Sequence, residues 1–196
     1  SLLKAEGLNA VRIKVWNDPG NPDHFPANQT GPQRFNGPEQ VVALARRAQA
    51  AGLRIMLDFH YSDWWADPQK QFMPHAWQGL ALPELCERLY QFTVDILQRV
   101  QAEGASVSWV QVGNETTSGM MLPVGSVENP KQLTELNNAG YDAAKSVYPE
   151  AQCIIHIDKG NELGAEYIVL EQDHTQLTQM ESVRISMDSF HKFSSM

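Results

Sequence analysis

The sequence predicts an α/β fold of the barrel kind, strands inside and helices outside. Three observations predict it. Four short Val/Ile/Leu-rich segments alternate with three amphipathic helical patterns, links after strands are long while links after helices are brief, and every strand has one aliphatic and one polar face.

The first strand is "AVRIKVW" from Ala10. A helix follows from Pro38 to Ala51, with Val41, Leu44, Ala45 and Ala48 on one face, Pro38 suited to its first turn and Gly52 to its C-terminal cap. "LRIMLDFHY" from Leu53 is the second strand. The next helix, Pro83 to Gln101, carries the stripe Leu85, Leu89, Phe92, Ile96 and Val100. "VSWVQVGNE" from Val107 is the third strand. Asn129, a natural N-cap before Pro130, opens a helix through Leu133, Leu136, Tyr141, Ala144 and Val147 that stops before Pro149. "QCIIHID" from Gln152 completes a β-α-β-α-β-α-β order.

Strands joined through helices pair in parallel, because a parallel neighbour needs a crossover connection. Residues 17 to 37, 61 to 82 and 116 to 128 all follow strands, the end at which α/β barrels and open α/β sheets place their active sites. Alternate strand residues face opposite ways. Val11, Ile13 and Val15 oppose Arg12, Lys14 and Trp16; Ile55, Leu57 and Phe59 oppose Met56, Asp58 and His60. Val110 and Val112 oppose Trp109, Gln111, Gly113 and Glu115, while Ile155 and Ile157 oppose Ile154, His156 and Asp158. A doubly wound sheet, covered on both sides, is apolar on both faces. A barrel with a polar floor accounts for the asymmetry; an open sheet with buried salt bridges is the competing reading.

The chain has 196 residues, 42% of them hydrophobic and 19% charged, with no Ser/Gly linker, so one domain over residues 1–196 is expected. No apolar run could span a bilayer. The net charge of −8 and the scattering of the 15 basic residues argue against nucleic acid as a partner. Cys86 and Cys153 make no metal spacing and read as ordinary buried thiols. The N-terminus has no signal-peptide pattern.

The polar strand-end set is Arg12, Asp58, His60, Asn114, Glu115, His156 and Asp158. No P-loop, G-x-G-x-x-G or G-x-S-x-G accompanies it. His60, His156 and Asp158 are ligand types suited to a metal hydrolase, but no compact ligand motif such as H-E-x-x-H holds them. Carboxylates, a positioned amide and aromatic platforms together suit glycoside hydrolysis, in which a protonated acid serves the leaving oxygen and, in retaining enzymes, a second carboxylate attacks from about 5 Å away. Glu115 is the candidate acid, Asn114 a candidate for the sugar 2-hydroxyl, and Trp16, Trp64, Trp65 and Trp77 candidate sugar platforms.

"VRIKVWNDP", "DFHYSDWWADPQKQ" with "MPHAW" soon after, "VQVGNE" and "HIDKGNE", in that order and spacing, resemble glycoside hydrolase family 53, the endo-β-1,4-galactanases, over roughly residues 1 to 165. The resemblance implies a partial (β/α)8 barrel, entered in its first helix and spanning strands two to about six. It implies retaining hydrolysis of β-1,4-galactan, the arabinogalactan side chains of pectin, with Glu115 as general acid/base and a secreted or periplasmic location. It also implies that Arg12, Trp16, Asp18, His60, Asp63, Trp65, Asn114, His156 and Asp158 build or support the sugar site. The plainer readings are a barrel ion pair for Arg12 and Asp58, core histidines for His60 and His156, and loop caps for Asp63 and Asp67. No cofactor and no metal, calcium included, is carried over.

From Ala165 onward the likeness is poor. "SVRISMDSF" from Ser182 takes the place of the sixth strand without the S-x-Y-P pattern expected there. The family's nucleophile is a glutamate ending the seventh strand; Glu162, Glu171 and Glu181 do not end an apolar strand in that way, so none is assigned. The expectation is a chain with the acid/base half of the machinery and no turnover. A galactan-binding module without catalysis is the alternative.

Overall fold

The computed structural model describes residues 2–21, 35–158 and 167–170. In chain order the elements are α1 (Leu2–Ala5), β1 (Ala10–Val15), α2 (Pro38–Ala50), β2 (Arg54–Phe59), α3 (Leu82–Ala102), β3 (Val107–Val112), β4 (Gly119–Met120), β5 (Gly125–Ser126), α4 (Pro130–Val147), β6 (Gln152–His156) and β7 (Tyr167–Leu170). One sheet runs β1-β2-β3-β6-β7, with the first four strands parallel. This is part of a (β/α)8 barrel. β7 pairs antiparallel with β6, a strand the sequence reading did not anticipate. The proposed sixth strand from Ser182, and Glu162, Glu171 and Glu181, lie outside the described residues.

The aliphatic faces of β1, β2 and β3 turn toward the helices, whereas on β6 only Cys153 joins them: Ile155 and Ile157, expected on that face, are half-buried, and Ile154 on the other face is buried. Ile13, Val15, Ile55, Leu57, Phe59, Val110, Val112 and Cys153 join Val41, Ala45, Leu85, Leu89, Ile96, Leu136 and Ala144 in one apolar core. Between β2 and β3 the register shifts at one point: Ile55 faces Val107, yet Met56 faces Trp109. Ser108 is the extra residue, and a bulge of one residue reverses the side-chain parity beyond it. The polar face of β3 therefore falls in step with that of β2, Gln111 opposite Asp58.

Two of the helix-to-strand returns are built alike. After α2 the Gly52 amide donates to Gln49 O (2.9 Å) and the Leu53 amide to Ala48 O (3.1 Å); after α3 the Gly104 amide donates to Gln101 O (2.9 Å) and the Ala105 amide to Val100 O (3.2 Å). Both are Schellman closures, with the glycines at φ 70° and 73°.

Three local expectations need correction. Leu44 is exposed, because α2 packs along Val41, Ala45 and Ala48 and residue 44 lies about 60° off that line. Asn129 stands at the N-cap of α4 but its side chain makes no capping bond. Cys86 is half-buried, not buried like Cys153. Among the described residues no helix is long and apolar enough to cross a membrane.

Candidate active site

Asp58, at the polar end of β2, is completely buried and organises the floor. Its Oδ2 lies 3.0 Å from Arg12 Nη2 and 3.2 Å from His60 Nε2, and its Oδ1 accepts a 2.6 Å bond from Gln111 Nε2. The Ala66 amide donates to His60 Nδ1 (2.9 Å), so the ring proton belongs on Nε2, where it donates to Asp58. A carboxylate this buried is tolerable because all its bonds come from charged or strongly polar donors.

Arg12 reaches further. Its Nη2 donates to Asn114 Oδ1 (2.6 Å), which also accepts from Gln111 Nε2 (3.3 Å), while Asn114 Nδ2 donates to Ala66 O (2.8 Å). These partners decide the orientation of the Asn114 amide, since only its oxygen can face a guanidinium. His156 closes the group from β6: its Nδ1 accepts the Glu115 amide at 3.2 Å and faces Arg12 Nη2 at 3.4 Å, so that its 3.0 Å approach to Asn114 Oδ1 is a contact between two acceptors around the same guanidinium. Burial, and then the charge of Arg12, press the His156 pKa down to about 4, against the opposing pull of Asp58 and Asp158.

Glu115 follows Asn114 where β3 gives way to a single 3-10 turn, Thr116–Ser118. It sits in the left-handed region, φ 51° and ψ 50°, just after Gly113 at φ 82°. Such a conformation costs a non-glycine residue about 1–2 kcal/mol and persists where neighbours impose it. The neighbours are on hand: Gln71 Nε2 donates to Asn114 O (2.7 Å) and to Glu115 O (3.0 Å). A side chain at Gly113 would be strained by its positive φ and would force Thr116 to move, because a Cβ there would stand 2.5 Å from Thr116 Cγ2. Burial first, then the negative charges of Asp158 and Asp67, raise the Glu115 pKa; the Asn114 hydrogen bond and Arg12 oppose the rise. A half-exposed carboxyl that holds its proton to higher pH is what proton donation to a leaving group requires.

Beside it lies a cleft of about 580 Å³, lined by Asp67, Pro68, Gln69, Thr117, Ser118 and Asp158. Thr117 Oγ1 bonds the Asp158 carboxylate and accepts the Asp158 amide (3.1 Å). Thr116 Oγ1 donates to His156 O (3.0 Å). Asp63 is buried away from this cleft with Oδ1 accepting Asn17 Nδ2 (3.0 Å) and the Asp18 amide (3.1 Å), and Oδ2 accepting the His75 amide (2.8 Å). It ties the first two long loops together, and Asp18 meets it through the backbone.

The tryptophans divide. Trp65 is exposed, edge-on to His60 at 5.7 Å between centroids and capped by Lys14 Nζ at 4.1 Å. Trp16 is buried and also edge-on to His60, at 6.1 Å. Trp64 is buried beneath the exposed ring of Phe72, stacked at 5.9 Å and 7°. Trp77 is no platform: it lies in the apolar core against Phe92, because the short 3-10 turn His75–Trp77 points it down onto α3.

Sequence reasoning missed Gln111 and Gln71 as members of the site. Gln111 shares the inward parity of Asp58 and could have been found by it. Gln71 comes from a loop, and nothing in its local sequence points to a partner 44 residues away. Both ring nitrogens of His60 are engaged by protein groups, and among the described residues no cluster of three His, Cys, Asp or Glu is placed to hold a metal ion.

Known proteins match this chain along most of its length. The profile of Glycosyl hydrolase family 53 matches residues 1–192, including most of the stretch after Ala165. The arabinogalactan endo-beta-1,4-galactanase of Thermothelomyces thermophilus is 32% identical, over 99% of this chain and 56% of its own length. The endo-beta-1,4-galactanase of Bacillus subtilis (strain 168) is 34% identical, over 86% of this chain and 38% of its own length. Among solved structures, the Ignisphaera aggregans GH53 catalytic domain superposes with a TM-score of 0.72 at 38% identity, covering 80% of this chain and 42% of that one. The chain thus spans about half the length of the relatives it matches.

Proposed function

Because this chain belongs to glycosyl hydrolase family 53, we propose that it forms, as one domain, the acid/base side of a retaining site that hydrolyses β-1,4-galactan, with Glu115 as the proton donor. The observation that carries this reading is the placement of Glu115: a strand-end carboxyl with a raised pKa, beside a cleft, joined through its own amide and Asn114 to a floor of Arg12, Asp58, His60 and His156. In the first step the second carboxylate of the retaining pair bonds the anomeric carbon while Glu115 gives its proton to the departing glycosidic oxygen. In the second, Glu115, now a carboxylate, takes a proton from the water that displaces that carboxylate from the sugar. Asn114 keeps one amide hydrogen beyond the one given to Ala66, and it meets the sugar 2-hydroxyl, where a bond strengthens as positive charge grows at the anomeric carbon. Arg12, His60 and His156 hold Asn114 and Glu115 in place, Trp16 and Trp65 supply apolar walls, Asp158 and Asp18 the cleft's polar rim, and Asp63 the loop tie. A polymer of the plant wall as substrate puts the working protein outside the cytoplasm, secreted or periplasmic.

The test is Glu115→Gln in a barrel completed with a nucleophile strand. Turnover of β-1,4-galactan falls by about 10²–10⁴, with oligosaccharide affinity nearly unchanged; normal turnover would refute the assignment. A second reading, binding without turnover by this stretch alone, is favoured by Asp58. Although it is the buried carboxylate of the floor, both its oxygens are held by Arg12, His60 and Gln111, so it is a poor nucleophile. Calorimetry with galactan oligosaccharides beside a hydrolysis assay separates the two: heat of binding with no reducing sugar supports the second reading, and sugar release excludes it.

A further inference from the structure

We infer that Gln71 is the positioning residue that holds Glu115 in its left-handed conformation and so sets the direction in which its carboxyl leaves the strand end. This deepens the reading of Glu115 as the acid and rests on it. The Gln71 side chain is buried, and its one amide nitrogen donates to two successive carbonyls, Asn114 O at 2.7 Å and Glu115 O at 3.0 Å. Those carbonyls flank the Glu115 Cα, so the two bonds together specify the backbone rotation there. In an extended conformation the two oxygens point to opposite sides, and one nitrogen could not serve both; the hand of the turn is then set by the Glu115 amide, which has to reach His156 Nδ1 while both carbonyls face Gln71. On the amino side the same residue is held by His156, which accepts its amide at 3.2 Å. The acid is thereby clamped from two different elements, the loop after β2 and the end of β6.

The clamp is specific to the amide group. Gln71 Oε1 is buried with no hydrogen-bond partner, so the residue keeps its place for what its NH₂ does. Its chain neighbours share that arrangement: Gln71 O accepts the Leu122 amide (2.8 Å), Phe72 bridges Leu122, and Pro68 O accepts from Ser118 Oγ (2.8 Å). The whole 68–72 segment is laid along the 115–122 turn. An apolar side chain of the same length at 71 would fill the space and leave both carbonyls without a donor.

The experiment is Gln71→Met in the full chain, read by the titration of the Glu115 carboxyl in ¹³C NMR and by the Glu115 backbone angle in a crystal structure. The expected result is a titration that drops to the ordinary glutamate range, as the carboxyl swings away from burial and from Asp158 and Asp67, with φ at residue 115 turning negative. An unchanged titration and an unchanged φ would overturn the inference. Should Gln71→Met fail to fold, Gln71→Glu decides: its acid form can donate to one carbonyl and its anion to none, so the Glu115 conformation should become pH-dependent. A conformation constant across the titration overturns the inference equally. In the completed barrel, kcat falls about 100-fold with little change in KM. Failure of the parent reading looks different, since there Glu115→Gln would retain turnover whatever Gln71 does.

Discussion

Arg12 Nη2 lies 3.0 Å from Asp58 Oδ2, joining a guanidinium that is one-third exposed to a carboxylate that is wholly buried. The asymmetry decides which partner matters more. Removing Arg12 leaves Asp58 charged and out of water with only His60 and Gln111 to hold it. Arg12→Met should cost roughly 3 kcal/mol of stability, measured by urea unfolding. Arg12→Met with Asp58→Asn should cost clearly less than the two single changes summed, because no charge is then stranded. Additive losses would mean that the pair is not coupled.

His156 makes stability depend on acidity. Its pKa is lowered in the folded chain to about 4 from 6.5, so between those values the unfolded chain takes up a proton that the folded chain refuses. The contribution is fully present above about pH 6.5 and is lost as pH falls toward 4. Unfolding free energy measured from pH 7 to 4 should fall in the native chain and fall less steeply in His156→Gln. Parallel curves would show that another group sets the slope.

Trp65 and Trp77 should give opposite phenotypes. Trp77→Ala opens a hole in the core beside Phe92 and is expected to cost about 3–5 kcal/mol. Trp65→Ala removes an exposed ring and should shift stability by no more than about 0.5 kcal/mol, yet, on the function proposed above, weaken binding of galactan oligosaccharides. Thermal unfolding and calorimetry on the same two variants check both halves.

Gly140 lets α4 settle on β3. An added Cβ would stand 2.5 Å from Val112 Cγ1 and 3.1 Å from Tyr61 Oη. Alanine in a helix interior is worth up to about 1 kcal/mol over glycine, while overpacking a filled core costs about 1–3 kcal/mol. The second effect should win, and Gly140→Ala should lower the melting temperature. A rise would mean that the helix can back away from the sheet freely.

Much of the site was legible because strand parity is a local property. Asp58, His60, Gln111 and His156 share a face by counting alone, and on β1, β2 and β3 the aliphatic residues of the opposite parity form the core; on β6 the alternation misleads, with Ile155 and Ile157 only half-buried. The bulge at Ser108 does not disturb this, since it falls before the residues that matter. What counting could not reach is the work of the loops. Asp63 and Gln71 act across long stretches of chain on backbone groups, and such partners leave no periodic trace. Trp77 misled for a related reason: a loop tryptophan becomes core or surface according to the direction of one short turn. Helix ends were read well where glycine marks them, as at Gly52, and less well at Asn129, where the residue type suits a cap its side chain does not make.

The twin glycine closures behind α2 and α3 have an evolutionary corollary. Each return to the sheet is so compact that adding or deleting a residue there would rotate the next strand and turn its polar side chains into the oily layer. Variation in length is thereby channelled to the opposite rim, where segments can grow, shrink or be exchanged while the floor beneath them stays in register.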